Sequence, residues 1–200
     1  MPVEPQPLGR RERNKQAKLD RIIAAAGELF AEHGVDEVTT QQIADAADIG
    51  TGTLFLYAKT KGELLLLVQN SHYATALEHG RTAAANTSGA LDAVVALLAP
   101  VVECNRVQVD NGRTYLREMV FGDPAEPHHA EALTIVGQTE AEVAALLVRH
   151  TESSEDEAST LARVVSAVLF LTMASSEHVG SSVEEIIDTV RKHVAAILPS

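Results

Sequence analysis

Residues 34–64 read GVDEVTTQQIADAADIGTGTLFLYAKTKGEL. Gly34 is a helix stop, because glycine accepts the backbone conformations that end a helix. Thr39-Thr40-Gln41-Gln42 has the form of a capping box, in which a threonine hydroxyl and a glutamine amide three residues on satisfy each other's backbone N–H groups. A short helix should follow, with Ile43, Ala44 and Ala47 on its buried side. The chain then turns through Asp48-Ile49-Gly50 and re-enters a helix over Thr51 to Tyr57, with Leu54 available to the core. Thr60-Lys61-Gly62-Glu63 has the form of a second capping box and opens a longer helix through Leu64, Leu65, Leu67 and Val68. Two short helices joined by a tight turn, between two longer ones, form a helix-turn-helix pattern.

Upstream, Leu19, Ile22, Ile23, Ala26, Leu29 and Phe30 recur at helical spacing, so a helix is expected from about Asn14 to His33. Downstream, the helix opened at Thr60 runs toward Gly80, and residues 83–89, AAANTSG, read as a loop. Further helices are expected over Leu91 to Val107 with a kink at Pro100, over Arg113 to Phe121, and over His128 to His150. Ser154-Glu155-Asp156-Glu157 and Ser181-Ser182-Val183-Glu184 cap the last two. The chain reads as all-α, with about nine helices and no strand alternation. Its expected organisation is a flexible basic arm over 1–13, a helix-turn-helix domain over 14–60, and a helical domain for ligand binding and dimerisation over 61–200.

The chemistry of the quoted stretch suits nucleic acid. A helix N-terminus exposes unpaired N–H groups and a positive dipole end, so the Thr39–Thr40 and Lys61 regions can each hold a phosphate. Gly50, Thr51, Gly52 and Thr53 are small enough to bring a helix close to base edges. The stretch also resembles the DNA-binding signature of the TetR family of regulators. The resemblance rests on Gly34, the Thr39-Thr40 pair, Ile43-Ala44, Gly52-Thr53-Leu54, the terminal Tyr57, and Lys61-Gly62-Glu63-Leu64. It implies that Thr40, Tyr57 and Lys61 contact phosphates and that Gln41, Thr51, Gly52, Thr53 and Leu56 lie nearest the bases. Departures from the family pattern are Asp48 where glycine is common in the turn, Gly50-Thr51 where Ser-Lys often stands, Leu56 before the tyrosine, and Ala58-Lys59 in place of Phe-Pro. Leu56 suggests apolar contact with thymine methyls, and Lys59 adds a possible phosphate contact.

A formal net charge of −12 is unfavourable for DNA binding on its own, since affinity comes largely from Lys and Arg. The distribution answers this: residues 1–61 hold 8 basic and 9 acidic side chains, and residues 62–200 hold 8 and 19. Arg10, Arg11, Arg13, Lys15, Lys18 and Arg21 make the N-terminal end locally basic, with Arg11 and Arg13 the arm's candidate DNA contacts. The single cysteine excludes an intrachain disulfide, and residues 1–13 have no apolar signal region. The longest uncharged stretch, Val164 to Ser176, is 13 residues long, short of the roughly 18 a membrane span requires. A cytoplasmic protein without membrane association is the expectation.

By resemblance, the last two helices form a homodimer interface, with Leu161, Val164, Val165, Val168, Ile186, Ile187, Val190 and Val194 as candidates. A small-molecule inducer would bind among Tyr73, Cys104, Arg106, Tyr115, Met119, Phe121, Phe170 and Met173. Two other classes compete. An enzyme or metalloprotein finds little support: there is no His-Glu-x-x-His or Gly-x-Ser-x-Gly motif, and His128 and His129 would diverge by about 100° on a helix. His128, Glu131 and Asp123 are the candidate metal ligands, but no functional metal, cofactor or catalytic residue is expected. The stronger rival is a protein-interaction module of the same fold without sequence-specific DNA binding.

Overall fold

The computed structural model describes residues 9–198. Among them are nine α-helices: α1 Arg10–His33, α2 Thr40–Ala46, α3 Thr51–Leu54, α4 Lys61–Ala85, α5 Ala90–Arg106, α6 Val109–Phe121, α7 Pro127–His150, α8 Glu155–Ala174 and α9 Val183–Ile197. A 3-10 turn at Ser176–His178 precedes α9. No strand occurs among the described residues.

Most helix ends follow the local rules. Gly34 takes φ +78° and its N–H donates to the Phe30 carbonyl, closing α1. Reciprocal capping boxes are present at Thr39/Gln42 and Ser154/Glu157. At α9 the box is Ser182/Glu185, one residue later than Ser181/Glu184. At α4 only half a box forms: the Thr60 hydroxyl accepts from the Glu63 N–H, while the Glu63 carboxylate accepts from the Lys59 N–H at 3.0 Å. Helix α1 starts at Arg10, so Arg11 and Arg13, expected in a flexible arm, are helical. The rest of that arm, residues 1–8, lies outside the described residues. Helix α4 reaches Ala85, which shortens the expected loop to residues 86–89. Helix α5 is one element through Pro100: the missing N–H removes a rung without ending the helix.

The three N-terminal helices close over Ile22, Ala26, Phe30, Val35, Val38, Ile43, Ala44 and Leu54, all buried. Helix α4 joins this unit to the body. Its run Leu64-Leu65-Leu66-Leu67-Val68 is buried all round, because α1 covers one side while α5, α6 and α7 cover the others. The α4–α5 crossing is close: a Cβ at Gly80 would lie 2.1 Å from the Leu97 carbonyl oxygen. Helices α8 and α9 pack on each other, α8 against α6 and α7 and α9 against α5. By length and composition α8 could cross a membrane, but it opens with Glu155, Asp156 and Glu157 and sits in this bundle.

Candidate DNA-binding surface and ligand cavity

The tight turn after α2 depends on Asp48, the one described non-glycine residue at positive φ, +53°. Aspartate tolerates this left-handed conformation better than most residues. Its carboxylate, almost wholly exposed, is 3.4 Å from the Arg21 guanidinium of α1. Ile43, Ala44, Ala47 and Leu54 anchor α2 and α3 from beneath. Helix α3 is shorter than the expected Thr51–Tyr57. After Leu54 the chain tightens, with Leu56 N–H donating to Thr53 and Tyr57 N–H to Leu54. Tightening turns Leu56 outward, where it is 84% exposed.

Gly52 and Leu56 therefore face solvent, and a Cβ at Gly52 would meet nothing within 4 Å. Phe55 is also exposed beside them, a candidate contact that the sequence reading missed. Thr51 and Thr53 are half-buried. The Thr51 hydroxyl donates to Gln41 Oε1 at 2.8 Å and Gln41 Nε2 donates to Asp45 at 2.8 Å, so Gln41 ties α3 to α2. The remaining candidates lie on the first turns of α1, at the start of α2, just after α3 and at the start of α4. Arg11 and Arg13 are exposed on the first turns of α1, Thr39 is engaged in its cap, and Thr40 is half-buried. The Tyr57 hydroxyl donates to the Lys15 carbonyl at 3.4 Å, and the Lys61 ammonium donates to the Asp36 carbonyl at 2.9 Å. Lys59 is paired with Glu126 at 2.7 Å, which holds the ammonium above its ordinary pKa and Glu126 below its own. Beside them Glu63 is buried, and that burial raises its carboxyl.

A cavity of about 340 Å³ opens among α4 to α8. Of the expected ligand residues, Tyr73, Tyr115, Met119, Phe170 and Met173 line it. Three do not. Cys104 faces a separate recess between α1 and the body, and burial pushes its thiol up to about 11. Arg106 donates to the carbonyls of Val179 and Ser181, stapling α5 to the segment before α9. Phe121 is 78% exposed at the end of α6. The sequence reading missed Leu116 on α6, and Ala132, Val136, Thr139 and Glu140 on α7. It also missed Arg163 and Ser166 on α8. Helical spacing on α7 and α8 groups these residues, but only the packing shows that the two faces converge. The Tyr73 and Tyr115 rings stack with centroids 4.2 Å apart. Burial raises both hydroxyls, which are hydrogen-bonded to Asn105 and Asn70 respectively.

The proposed dimer stripe divides in two. Val165, Ile186, Val190 and Val194 are buried within the protomer and hold α8 and α9 to its own core. Leu161, Val168 and Ile187 are half-buried, while Val164 and Leu171 are exposed. These last two sit about 100° or more around α8 from Val165, so α8 is apolar on a second side. The outer positions of α9, including Glu184, Asp188 and Lys192, are charged or polar.

Residues 22–68 match the family described as bacterial regulatory proteins, tetR family. The fold is that of the TetR regulators. A Thermus thermophilus FadR, described as a TetR-family transcriptional repressor in complex with lauroyl-CoA, superposes with TM-score 0.71 at 22% identity, covering 90% of this chain and 92% of that one. A TetR transcriptional regulator from a Rhodococcus species gives TM-score 0.70 at 16% identity, with 92% and 97% covered. The fatty acid degradation regulator FadR from Bacillus halodurans gives 0.62 at 14%, with 90% and 99% covered. Comparison with curated protein sequences gives no match. The TetR-like match spans α1 from Ile22 through α3 and into α4, so it contains the turn at Asp48 and the outward face of α3.

Proposed function

We propose that this chain is a homodimeric, cytoplasmic DNA-binding transcriptional regulator that releases its operator when an apolar small molecule occupies the cavity among α4 to α8. The observation that carries this reading is the outward face of α3. Gly52 and Leu56 project from a turn whose inner side is fully packed, so a slim surface is available to the major groove at no cost to the core. Phe55 and Leu56 offer apolar contact to thymine methyls, and Thr51 and Thr53 are the adjacent hydroxyls. Arg11, Arg13, Thr40, Tyr57 and Lys61 frame this face as phosphate contacts. Lys61 must exchange or share its bond to the Asp36 carbonyl, so its contribution comes on docking. The exposed side of α8, through Val164 and Leu171, joins two protomers and spaces the recognition helices about 34 to 36 Å apart, or a multiple of this.

The ligand is an apolar chain carrying a polar group. The cavity walls are aliphatic and aromatic, with Thr139, Ser166, Glu140 and Arg163 as the polar groups that could orient a head. The lauroyl-CoA bound to the similar Thermus FadR is of this class.

The test is fluorescence anisotropy on DNA from upstream of the chain's own gene, over a salt series. Binding should fall steeply as salt rises. Gly52→Ala should leave the melting temperature unchanged or slightly raised, since alanine is the better helix former, and weaken binding roughly tenfold, about 1.4 kcal/mol. Lauroyl-CoA should reverse binding. Absence of any salt-sensitive binding would sink the regulator reading and leave the protein-interaction module in its place.

A further inference from the structure

A chain of buried and half-buried hydrogen bonds joins the cavity to the recognition turn. Tyr115 lines the cavity, and its hydroxyl donates to Asn70 Oδ1 on α4 at 2.9 Å. Asn70 is 1% exposed. Its amide nitrogen donates to the His128 carbonyl at 2.9 Å and to the Glu131 carboxylate at 3.0 Å, both on the first turns of α7. The His128 ring returns to the DNA-binding unit, with Nε2 3.0 Å from the Tyr57 carbonyl. A carbonyl only accepts, so Nε2 must carry the proton in this bond. Tyr57 closes the turn after α3. One helical turn beyond His128, Ala132 lines the cavity.

Each link joins residues far apart in sequence, and each relies on a group that is costly to leave unpaired. A buried amide stripped of its partners pays the full desolvation cost of an unmade hydrogen bond, so Asn70 must follow whichever of Tyr115 and α7 moves. The parallel tie from Lys59 to Glu126 involves an exposed ammonium, and such pairs contribute little. The imidazole of His128, largely shielded from solvent, is the firmer connection.

We propose that Tyr115, Asn70 and His128 form a coupling relay. Filling the cavity displaces Tyr115 or the first turn of α7, which draws the His128 N–H away from the Tyr57 carbonyl and loosens the turn that presents Leu56. Its regulatory meaning rests on the function proposed above. The relay itself can be tested without ligand or DNA, so its failure is distinguishable from failure of that reading.

The test is amide hydrogen exchange, read by mass spectrometry on the full-length protein over residues 54–59. Tyr115→Phe keeps the stacked ring and removes the hydroxyl; it should raise exchange there about three- to tenfold, the range that one net hydrogen bond supplies. His128→Ala should do the same. The double variant should match the larger single effect, because both cut one path. His128→Gln supplies an N–H at a similar reach and should restore protection. Thr139→Val removes a cavity hydroxyl bonded only to its own helix and should change nothing over 54–59. Unchanged exchange in Tyr115→Phe, multiplied effects in the double variant, failure of His128→Gln to restore protection, or an equal response to Thr139→Val would overturn the relay.

Discussion

Replacing Asn111 with alanine should detach the N-terminal helices from the body. Asn111 lies near the start of α6, is 1% exposed, and reaches across to the end of α1. Its Oδ1 accepts from the Val35 N–H at 2.7 Å and its Nδ2 donates to the Phe30 carbonyl at 2.7 Å. The Phe30 carbonyl keeps a second partner, the Gly34 N–H, but the buried Val35 N–H has no other. Stranding that donor costs about 1 to 3 kcal/mol, and losing the second bond about 1 more. The sum is about 2 to 4 kcal/mol, toward the lower end if water enters the space vacated. Urea unfolding followed by far-ultraviolet circular dichroism measures this, at one fixed protein concentration because association contributes to apparent stability. Hydrogen exchange should rise first over residues 30–38. A loss below about 1 kcal/mol would refute the claim that Asn111 is the buried pin between the two parts.

Gly80→Ala should destabilise the protein although alanine is the better helix former by about 1 kcal/mol. The new methyl meets the Leu97 backbone, and overpacking costs about 1 to 3 kcal/mol, so a net loss of up to about 2 kcal/mol in urea unfolding is expected; a net gain would contradict the close crossing. Glu63→Gln should raise the melting temperature at pH 8, with a gain that shrinks as pH falls. Burial raises the Glu63 carboxyl above its unfolded value, so its contribution is present at low pH and lost as pH rises through the folded value, and glutamine mimics the neutral form. A gain that grows toward acid would reverse this sign. Leu171→Asp should convert a dimer to a folded monomer in equilibrium sedimentation, since the side chain is 67% exposed in the protomer; a persistent dimer would remove the exposed side of α8 from the interface.

What could be read from the residues alone was what short-range chemistry dictates. Thr39 and Gln42 can satisfy each other only at one spacing, Gly34 ends α1 because few residues accept its φ, and Asp48 tolerates the turn it occupies. Ser181 and Ser182 precede Glu184 and Glu185, so two capping registers were equally possible locally, and packing of Ile186, Val190 and Val194 selected the second. Glu63 has the spacing of a capping partner but serves Lys59, because the chain before α4 brings that N–H nearer. Periodicity found the aliphatic stripes of α8 and α9 without showing what covers them; Val165 and Ile186 face their own core, while Leu171 does not. Cys104, Arg106 and Phe121 are apolar-helix neighbours of the true cavity residues, yet which faces converge depends on five helices meeting in space.

The emptiness around Gly52 has a further consequence. No internal neighbour constrains that position or the tip of Leu56, so replacing either alters what the protein can touch without altering what holds it together. Preference for one DNA sequence over another can then drift or be re-engineered under selection while foldability stays constant, and a library randomised at these two positions should yield folded members almost throughout.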